Sequence, residues 1–291
     1  MRAFTVILIY LIVGTISPIY SQTAHNNLQI TSIANEGFLL TSSSKKVLID
    51  ALFTNGYGLF AAPPKNITDE IMDAKAPFDR INLYLLTHYH FDHCDPLLIK
   101  NYLTKHRNIP FVTNKPAIVF IDGSCFGFML LKKQFTVLTP EANQSVSNTI
   151  NNVPVKAFGF KHLSFYIDSI NVEENMFNSS YLFEMDGIKI FHSGDIKKDA
   201  LQDYLAKNNK WTDTIDVAFL YYELFESGVP DLEYILNTLH PKHIIVMHVP
   251  PSLINEWAVK IDKLKETFPD IILFKNPMES QTLNIAGLPD K

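Results

Sequence analysis

The 291-residue chain has almost no cysteine: Cys94 and Cys125 are the only two. A disulfide framework is thereby excluded, and one bridge at most is left open. Excess basic charge is also missing. With 25 Lys and Arg against 30 Asp and Glu, a net charge of −5 and no basic run, there is no electrostatic footprint for nucleic acid. Low-complexity tracts, short-period repeats and an obvious linker are absent too. So is G-x-S-x-G, the signature of a serine nucleophile elbow. What remains is 47% hydrophobic and 19% charged, enough to bury a large core as one domain or two closely fused halves.

The N-terminus reads separately from the rest. Met1-Arg2 precedes an apolar stretch from Ala3 to Tyr20, interrupted by Thr5, Gly14, Thr15, Ser17 and Pro18. A short positive start, an apolar middle and small Ser21 predict a secretory signal peptide over 1–21, cut before Gln22. The stretch is nearly long enough to span a bilayer, but Pro18 and the polar Ser21-Gln22-Thr23 favour removal. Residues 22–291 are then expected to form one exported domain, periplasmic or secreted, with no stable membrane insertion. Sequons at Asn66, Asn143 and Asn178 would matter only in a eukaryotic secretory host.

The chemistry is concentrated in Thr87-His88-Tyr89-His90-Phe91-Asp92-His93, directly after the apolar run Ile81 to Leu86. That run predicts a buried strand. Cys94-Asp95-Pro96 then predicts a helix start, with Asp95 as N-cap and Pro96 at the first helical position. Three imidazoles and a carboxylate on a strand-to-helix loop are the ligand types that Zn²⁺ and similar ions prefer. The spacing suggests two ions, His88 and His90 on one, Asp92 and His93 on the other, at the roughly 3.5–4 Å separation of two-metal sites. Cys94 follows His93 but reads as a small packing residue, since the ligand set is filled without it.

Further along, short strands are expected at Leu28 to Ile33, Phe38 to Thr41 and Val47 to Asp50, joined by turns at Asn35-Glu36-Gly37 and Ser42 to Lys45. Helices are expected at 68–74, 97–106, from Pro116, at 200–205, 232–239 and 253–267. The remaining strands are Phe111 to Thr113, Phe135 to Leu138, Val153 to Phe160, Val217 to Leu220, His243 to Met247 and Ile271 to Phe274. Tyr181 to Met185 and Ile188 to Phe191 form a hairpin about an Asp186-Gly187 turn. Strand ends thus deliver ligand-type residues at 88–93, His162, Asp195 and His248, and a carboxylate at Asp50.

In that order the chain resembles the metallo-β-lactamase-fold hydrolase superfamily over residues 28–275. The carriers are H-x-H-x-D-H at 88–93, a distant His162, Gly194-Asp195 and a final His248 at a strand end, with Asp50 matching the structural aspartate of the family. Phe191-His192-Ser193-Gly194-Asp195 and Ile245-Val246-Met247-His248 resemble the ascorbate-lactonase-like branch. The resemblance implies an α/β (α+β) fold, a four-layer αββα sandwich with metals at the open edge between two sheets. Carried over by position, His88, His90 and His162 bind a first ion, Asp92, His93 and His248 a second, and Asp195 bridges them. His192 competes with His162 for its place. The ions are expected to be two Zn²⁺, with Fe or Mn as alternatives.

The implied reaction is hydrolysis, with a water whose pKa falls from ~15.7 toward ~7 between the ions and with Asp92 or Asp195 passing a proton to the leaving group. The substrate is expected to be a small exported-compartment molecule, an ester, lactone or amide. A β-lactam, a phosphodiester and a non-catalytic metal-binding role are the alternatives. Tyr221-Tyr222-Glu223, Phe53 to Tyr57 and Phe126 to Met129 are candidate cleft residues, each with core packing as the competing role. His25, His106, His240 and His243 read as structural or surface histidines.

Overall fold

A computed structural model describes residues 26–173, 176–208, 210–226 and 232–285. The expected leader at 1–21 and His25 lie outside the described residues. Chain order begins β1 (Asn26–Ala34), β2 (Gly37–Thr41), β3 (Lys46–Ile49), α1 (Lys65–Met72), β4 (Leu83–Leu85), α2 (Pro96–Lys105), β5 (Phe111–Thr113), α3 (Lys115–Ser124) and β6 (Phe135–Val137). It continues through β7 (Ser145–Ile150), β8 (Val153–Lys161), β9 (Tyr166–Ile167), β10 (Ile170–Asn171), β11 (Phe177–Met185) and β12 (Ile188–His192). It closes with α4 (Ala200–Asn208), β13 (Val217–Tyr221), α5 (Leu232–Leu239), β14 (His243–Met247), α6 (Ile254–Leu264), β15 (Ile271–Leu273) and β16 (Ser280–Ile285).

Two seven-stranded mixed sheets result, ordered β16-β1-β2-β3-β4-β5-β6 and β15-β14-β13-β12-β11-β8-β7. Alternation along each strand decides the layering. In β3, Val47 and Ile49 enter the core between the sheets, while Leu48 faces the layer holding α1, α2 and α3. In β13, Val217 and Phe219 face the central core, and Ala218 and Leu220 pack under the helices of the other side. Strands apolar on both faces are covered on both faces, which is why the runs read as unbroken hydrophobic stretches. The arrangement is the four-layer αββα sandwich that the resemblance implies. Among the described residues no helix is long and apolar enough to cross a membrane.

Parallel pairing fixes where the chemistry goes. β3, β4 and β5 run parallel, as do β12, β13 and β14. Their C-terminal ends therefore emerge on one edge, where open α/β sheets place ligands. Asp50, the 87–95 loop, Ser193 to Asp195 and His248 all follow such ends. The unexpected strands are β7, β16 and the small β9–β10 hairpin. β7 and β16 are polar strands at sheet edges, so they lack the hydrophobic run that marks the central strands.

The opposite edge is clamped by one carboxylate. Asp186 and Gly187 turn β11 into β12 with positive φ of 49° and 84°, as an Asp-Gly turn requires. Asp186 accepts from the Ser42, Ser43 and Ser44 hydroxyls at 2.7, 2.9 and 2.6 Å and from the Ser44 N–H at 2.7 Å, tying the two sheets together. Partial burial opposes the charge, but these donors outweigh it and hold the carboxyl at about 2. Asp186→Ala is expected to lower the unfolding free energy at pH 7 by about 0.5–1 kcal/mol, since the serine donors sit at the surface and water takes the place of the lost carboxylate. Because the folded pKa is depressed, the contribution is complete above the unfolded value of about 3.9 and lost as pH falls through about 2. Urea melts of both proteins should therefore separate at pH 7 and converge near pH 2; equal midpoints at pH 7 would refute the clamp.

Candidate metal centre

The 87–95 loop is braced before any metal is considered. Asp50 stands just past β3 in the left-handed region, φ 42°, a conformation costly for a non-glycine residue. There its Oδ1 accepts the Thr87 N–H at 2.8 Å, and its Oδ2 accepts both the Thr87 hydroxyl and His93 Nδ1–H, the latter at 3.1 Å. Beyond them the His93 and Cys94 N–H groups both donate to the His90 carbonyl, at 3.0 and 2.8 Å. Asp95 then caps α2 by accepting from the Leu97 and Leu98 N–H groups, each at 3.0 Å. The strand–loop–helix reading of the sequence is what the chain adopts.

Outer partners decide which imidazole nitrogen faces the centre. His88 Nδ1 is 2.9 Å from the Thr87 hydroxyl, and His162 Nδ1 is 2.9 Å from the Leu163 carbonyl. His93 Nδ1 is taken by Asp50, so these three present Nε2 inward. His90 is reversed, with Nε2 3.2 Å from Glu173 and Nδ1 3.1 Å from His88 Nε2. Each is a carboxylate, carbonyl or hydroxyl fixing the tautomer of a prospective metal ligand. His248 follows β14 with φ 65°, and the Phe60 ring stands edge-on to it, 4.2 Å between centroids.

The inward atoms sort into two sets around Asp195. Its Oδ2 lies 3.8 Å from His88 Nε2 and 3.5 Å from His162 Nε2, while its Oδ1 lies 3.5 Å from His93 Nε2 and 3.4 Å from His248 Nε2. Asp92 Oδ2 is 3.3 Å from His248 Nε2 and 3.7 Å from His93 Nε2. Two donors about 2.1 Å from one tetrahedral ion stand about 3.4 Å apart, so this spacing suits divalent metal. His162 Nε2 and Asp195 Oδ1 are buried without hydrogen-bond partners, as ligand atoms awaiting a cation would be. Among the described residues, His88, His90, His162 and Asp195 form one group of mutually close ligand atoms, and Asp92, His93 and His248 another. All seven residues picked from the sequence thus meet at one edge.

Charge is unequally distributed between the sets. Burial, reinforced by neighbouring imidazoles, holds His88 well below its ordinary pKa and His90 at about 4, so both are neutral donors. At His248 burial also opposes protonation, but Asp195 and Asp92 outweigh it and raise the ring to about 10. His93 is raised for the same reason.

His192 does not compete with His162. It is buried behind the centre, with Nε2 donating to the Glu36 carbonyl at 3.2 Å and Nδ1 accepting the Gly194 N–H at 3.2 Å. Burial depresses it to about 4. His106 donates to the Met72 carbonyl, His243 stands 3.8 Å from Asp270, and His240 is exposed. Cys94 and Cys125 are both free thiols, and Cys94 is buried in the packing beneath the loop. Tyr221 does approach the site, its ring 5.1 Å from that of His248 and its hydroxyl 3.2 Å from Glu223. Phe126 to Met129 do not form a wall: Phe128 packs on Phe111 and Phe135 under the outer helices. Asn143 and Asn178 are buried, leaving Asn66 as the exposed sequon.

Three contributors escaped the sequence reading. Asn35 donates to the carbonyl and carboxylate of Asp92, 3.2 Å to each, Glu36 is wholly buried beside Asp195 and His248, and Glu173 holds His90. Asn35 and Glu36 form a tight turn, which sequence patterns place in solvent. Glu173 lies beyond a hairpin too short to register.

Comparison with known proteins agrees with this geometry. The profile of the family described as "Beta-lactamase superfamily domain" matches residues 29–248. The chain belongs to this family. Solved structures of similar fold include Igni18, a metallo hydrolase from Ignicoccus hospitalis, at 15% identity and TM-score 0.54, covering 89% of this chain and 99% of that one. The metallo-beta-lactamase fold protein YhfI from Bacillus subtilis gives 12% identity and TM-score 0.54, with 88% and 99% covered. CmlA, a diiron beta-hydroxylase from Streptomyces venezuelae, gives 12% and 0.52, with 89% of this chain and 54% of that one. No curated protein matches at the sequence level. For this member of the beta-lactamase superfamily, a metal-dependent hydrolase at that broad level is the supported class.

Proposed function

We propose that the protein is an exported hydrolase of ester, lactone or amide bonds, built as one domain over 22–291 after a leader at 1–21. His88, His90 and His162 hold one divalent ion, Asp92, His93 and His248 a second, and Asp195 serves both. The observation that carries this reading is the division of Asp195, whose two oxygens face the two histidine sets separately. Zn²⁺ suits the His88–His90–His162 position, and the diiron CmlA keeps iron open for the fold. Bound there, two such ions would polarise a carbonyl and lower the pKa of a water between them.

The chain's own residues supply the rest. Asp92, which faces the His93 and His248 nitrogens through Oδ2, is placed to hold a proton and return it to the leaving group. Both oxygens of Asp195, by contrast, are engaged by the two histidine sets. Asn35 fixes the Asp92 carboxylate in its orientation. The Tyr57 hydroxyl accepts the Phe91 N–H at 3.1 Å, leaving its own proton free for a substrate oxygen. Exposed Tyr57, Leu59 and Phe91, together with Phe165, Tyr166, Ile167, Ile170 and Val172 on the β9–β10 hairpin, give the neighbourhood an apolar rim. Such a rim favours a substrate with a hydrophobic substituent over a phosphodiester polyanion.

Metal analysis of the purified protein should give close to two ions per chain, and His248→Ala close to one. A panel of p-nitrophenyl esters of increasing chain length, lactones, β-lactams and bis-p-nitrophenyl phosphate, with and without chelator, reads the substrate class. Chelator-sensitive ester or lactone cleavage that improves with chain length is expected. A metal-loaded protein inert on the whole panel would favour a non-catalytic metal-binding role, and cleavage of the phosphate alone would replace the proposed bond class.

A further inference from the structure

Glu36 has no place in the seven-residue set, yet it lies beside Asp195 and His248 in the centre. It is fully buried, and neither carboxylate oxygen has a hydrogen-bond partner. His93 Nδ1 stands 3.9 Å away, beyond hydrogen-bond reach, and that nitrogen already donates to Asp50. A buried carboxylate without partners costs several kcal/mol unless a cation compensates it.

The backbone aims this side chain inward and holds it there. Asn35, at φ 52°, turns β1 into β2 and anchors the turn on Asp92. The Glu36 carbonyl accepts from His192. The next residue, Gly37, lies so close to the end of β3 that a Cβ would come within 2.7 Å of the Asp50 carbonyl oxygen. Tied at these three points, the turn cannot swing out to solvent. The ligand atoms of Glu36, Asp195 and His248 all lie within 4.8 Å of one another. Charge counting agrees: Asp50, Asp92, Asp195 and Glu36 are four buried carboxylates, the number that two divalent cations neutralise.

Resting on the two-ion reading above, we propose that Glu36 is a further metal ligand at the Asp92–His93–His248 position, raising that position's affinity for Mn²⁺ or Fe²⁺ relative to its affinity for Zn²⁺. With Glu36 and Asp195 it offers three carboxylates and two imidazoles, more oxygen and more donors than a four-coordinate zinc site uses. The His88–His90–His162 position, with a single carboxylate, keeps the nitrogen-rich character that suits zinc. The two positions thus differ in donor chemistry, and Glu36 sets the difference.

The test is metal affinity rather than turnover. Metal-free wild type, Glu36→Gln and Glu36→Asp are titrated calorimetrically with Mn²⁺ and with Zn²⁺, stoichiometry is checked by elemental analysis, and folding by circular dichroism. Gln removes the charge at nearly constant volume, whereas Asp keeps the charge but withdraws it by one methylene. Both variants are expected to weaken the second Mn²⁺ by about 10–100-fold, the cost of losing a group that tunes a metal site, while Zn²⁺ loses less than about threefold. Unchanged Mn²⁺ binding in Glu36→Gln would overturn the assignment. So would equal losses for both metals, or a Glu36→Asp that behaves as wild type, since mere charge balance predicts those results. A wild type that takes fewer than two ions would instead refute the two-ion reading itself.

Discussion

Stripping the divalent ions with a chelator is expected to abolish hydrolysis and lower the melting temperature by at least about 8 °C, both restored on adding metal back. The physical ground is the cost of leaving the centre without cations. Asp50, Asp92, Asp195 and Glu36 are buried together, and no lysine or arginine is among their described ion pairs. Protons on His93 and His248 offset part of that charge, since both rings are held above their ordinary pKa by Asp195 and Asp92. Glu36 is instead pushed well up toward its neutral form by burial and by Asp195. An ion held at a thousand times its Kd stabilises the folded state by ~4 kcal/mol. For a domain of this size each kcal/mol moves Tm by ~2–4 °C. Differential scanning calorimetry with and without chelator measures the shift. An unchanged Tm with unchanged activity would show that the cluster is a charge network rather than a metal centre.

Much of this was legible in the chain, for reasons that differ from residue to residue. H-x-H-x-D-H could be read because its ligand-type residues fall within six positions and because the strand before it and the Asp95-Pro96 cap after it are both local signals. Asp195 and His248 could be read because each follows a buried apolar strand, β12 and β14. The central strands were visible as hydrophobic runs since both their faces are covered. Local patterns fail where a role is created by distant contact. Glu36 sits in a turn whose composition predicts exposure, and only the approach of Gly37 to the end of β3 buries it. Glu173 becomes a partner of His90 only because the β9–β10 hairpin folds back over the loop. By sequence His192 competes with His162 for one place; what separates them is that His192 bonds the Glu36 carbonyl while His162 Nε2 faces Asp195.

The second large effect is expected from a residue that touches no metal. Asp50→Ala should weaken both ions by about 10–100-fold and destabilise the fold by about 3–5 kcal/mol. Asp50 is wholly buried and serves three donors: the Thr87 N–H, the Thr87 hydroxyl and His93 Nδ1–H. Removing it orphans all three, and a buried unpaired donor costs about 1–3 kcal/mol. The consequence for metal follows two routes. His93 loses the partner that keeps its Nε2 lone pair inward, which weakens the Asp92–His93–His248 position directly. Thr87, whose hydroxyl points its proton at Asp50 and its lone pair at His88 Nδ1, loses its orientation as well, and the His88–His90–His162 position weakens through it. Thr87→Val separates the routes, because it keeps the N–H bond to Asp50 and the Asp50–His93 pair but deletes the hydroxyl. It should therefore weaken one ion and spare the other, whereas Asp50→Ala weakens both. Calorimetric titration of the two variants reads this directly, with urea melts as the stability control. If Asp50→Ala lost stability but bound both ions as wild type does, Asp50 would be a packing residue and the bracing of the loop would have no part in the metal centre.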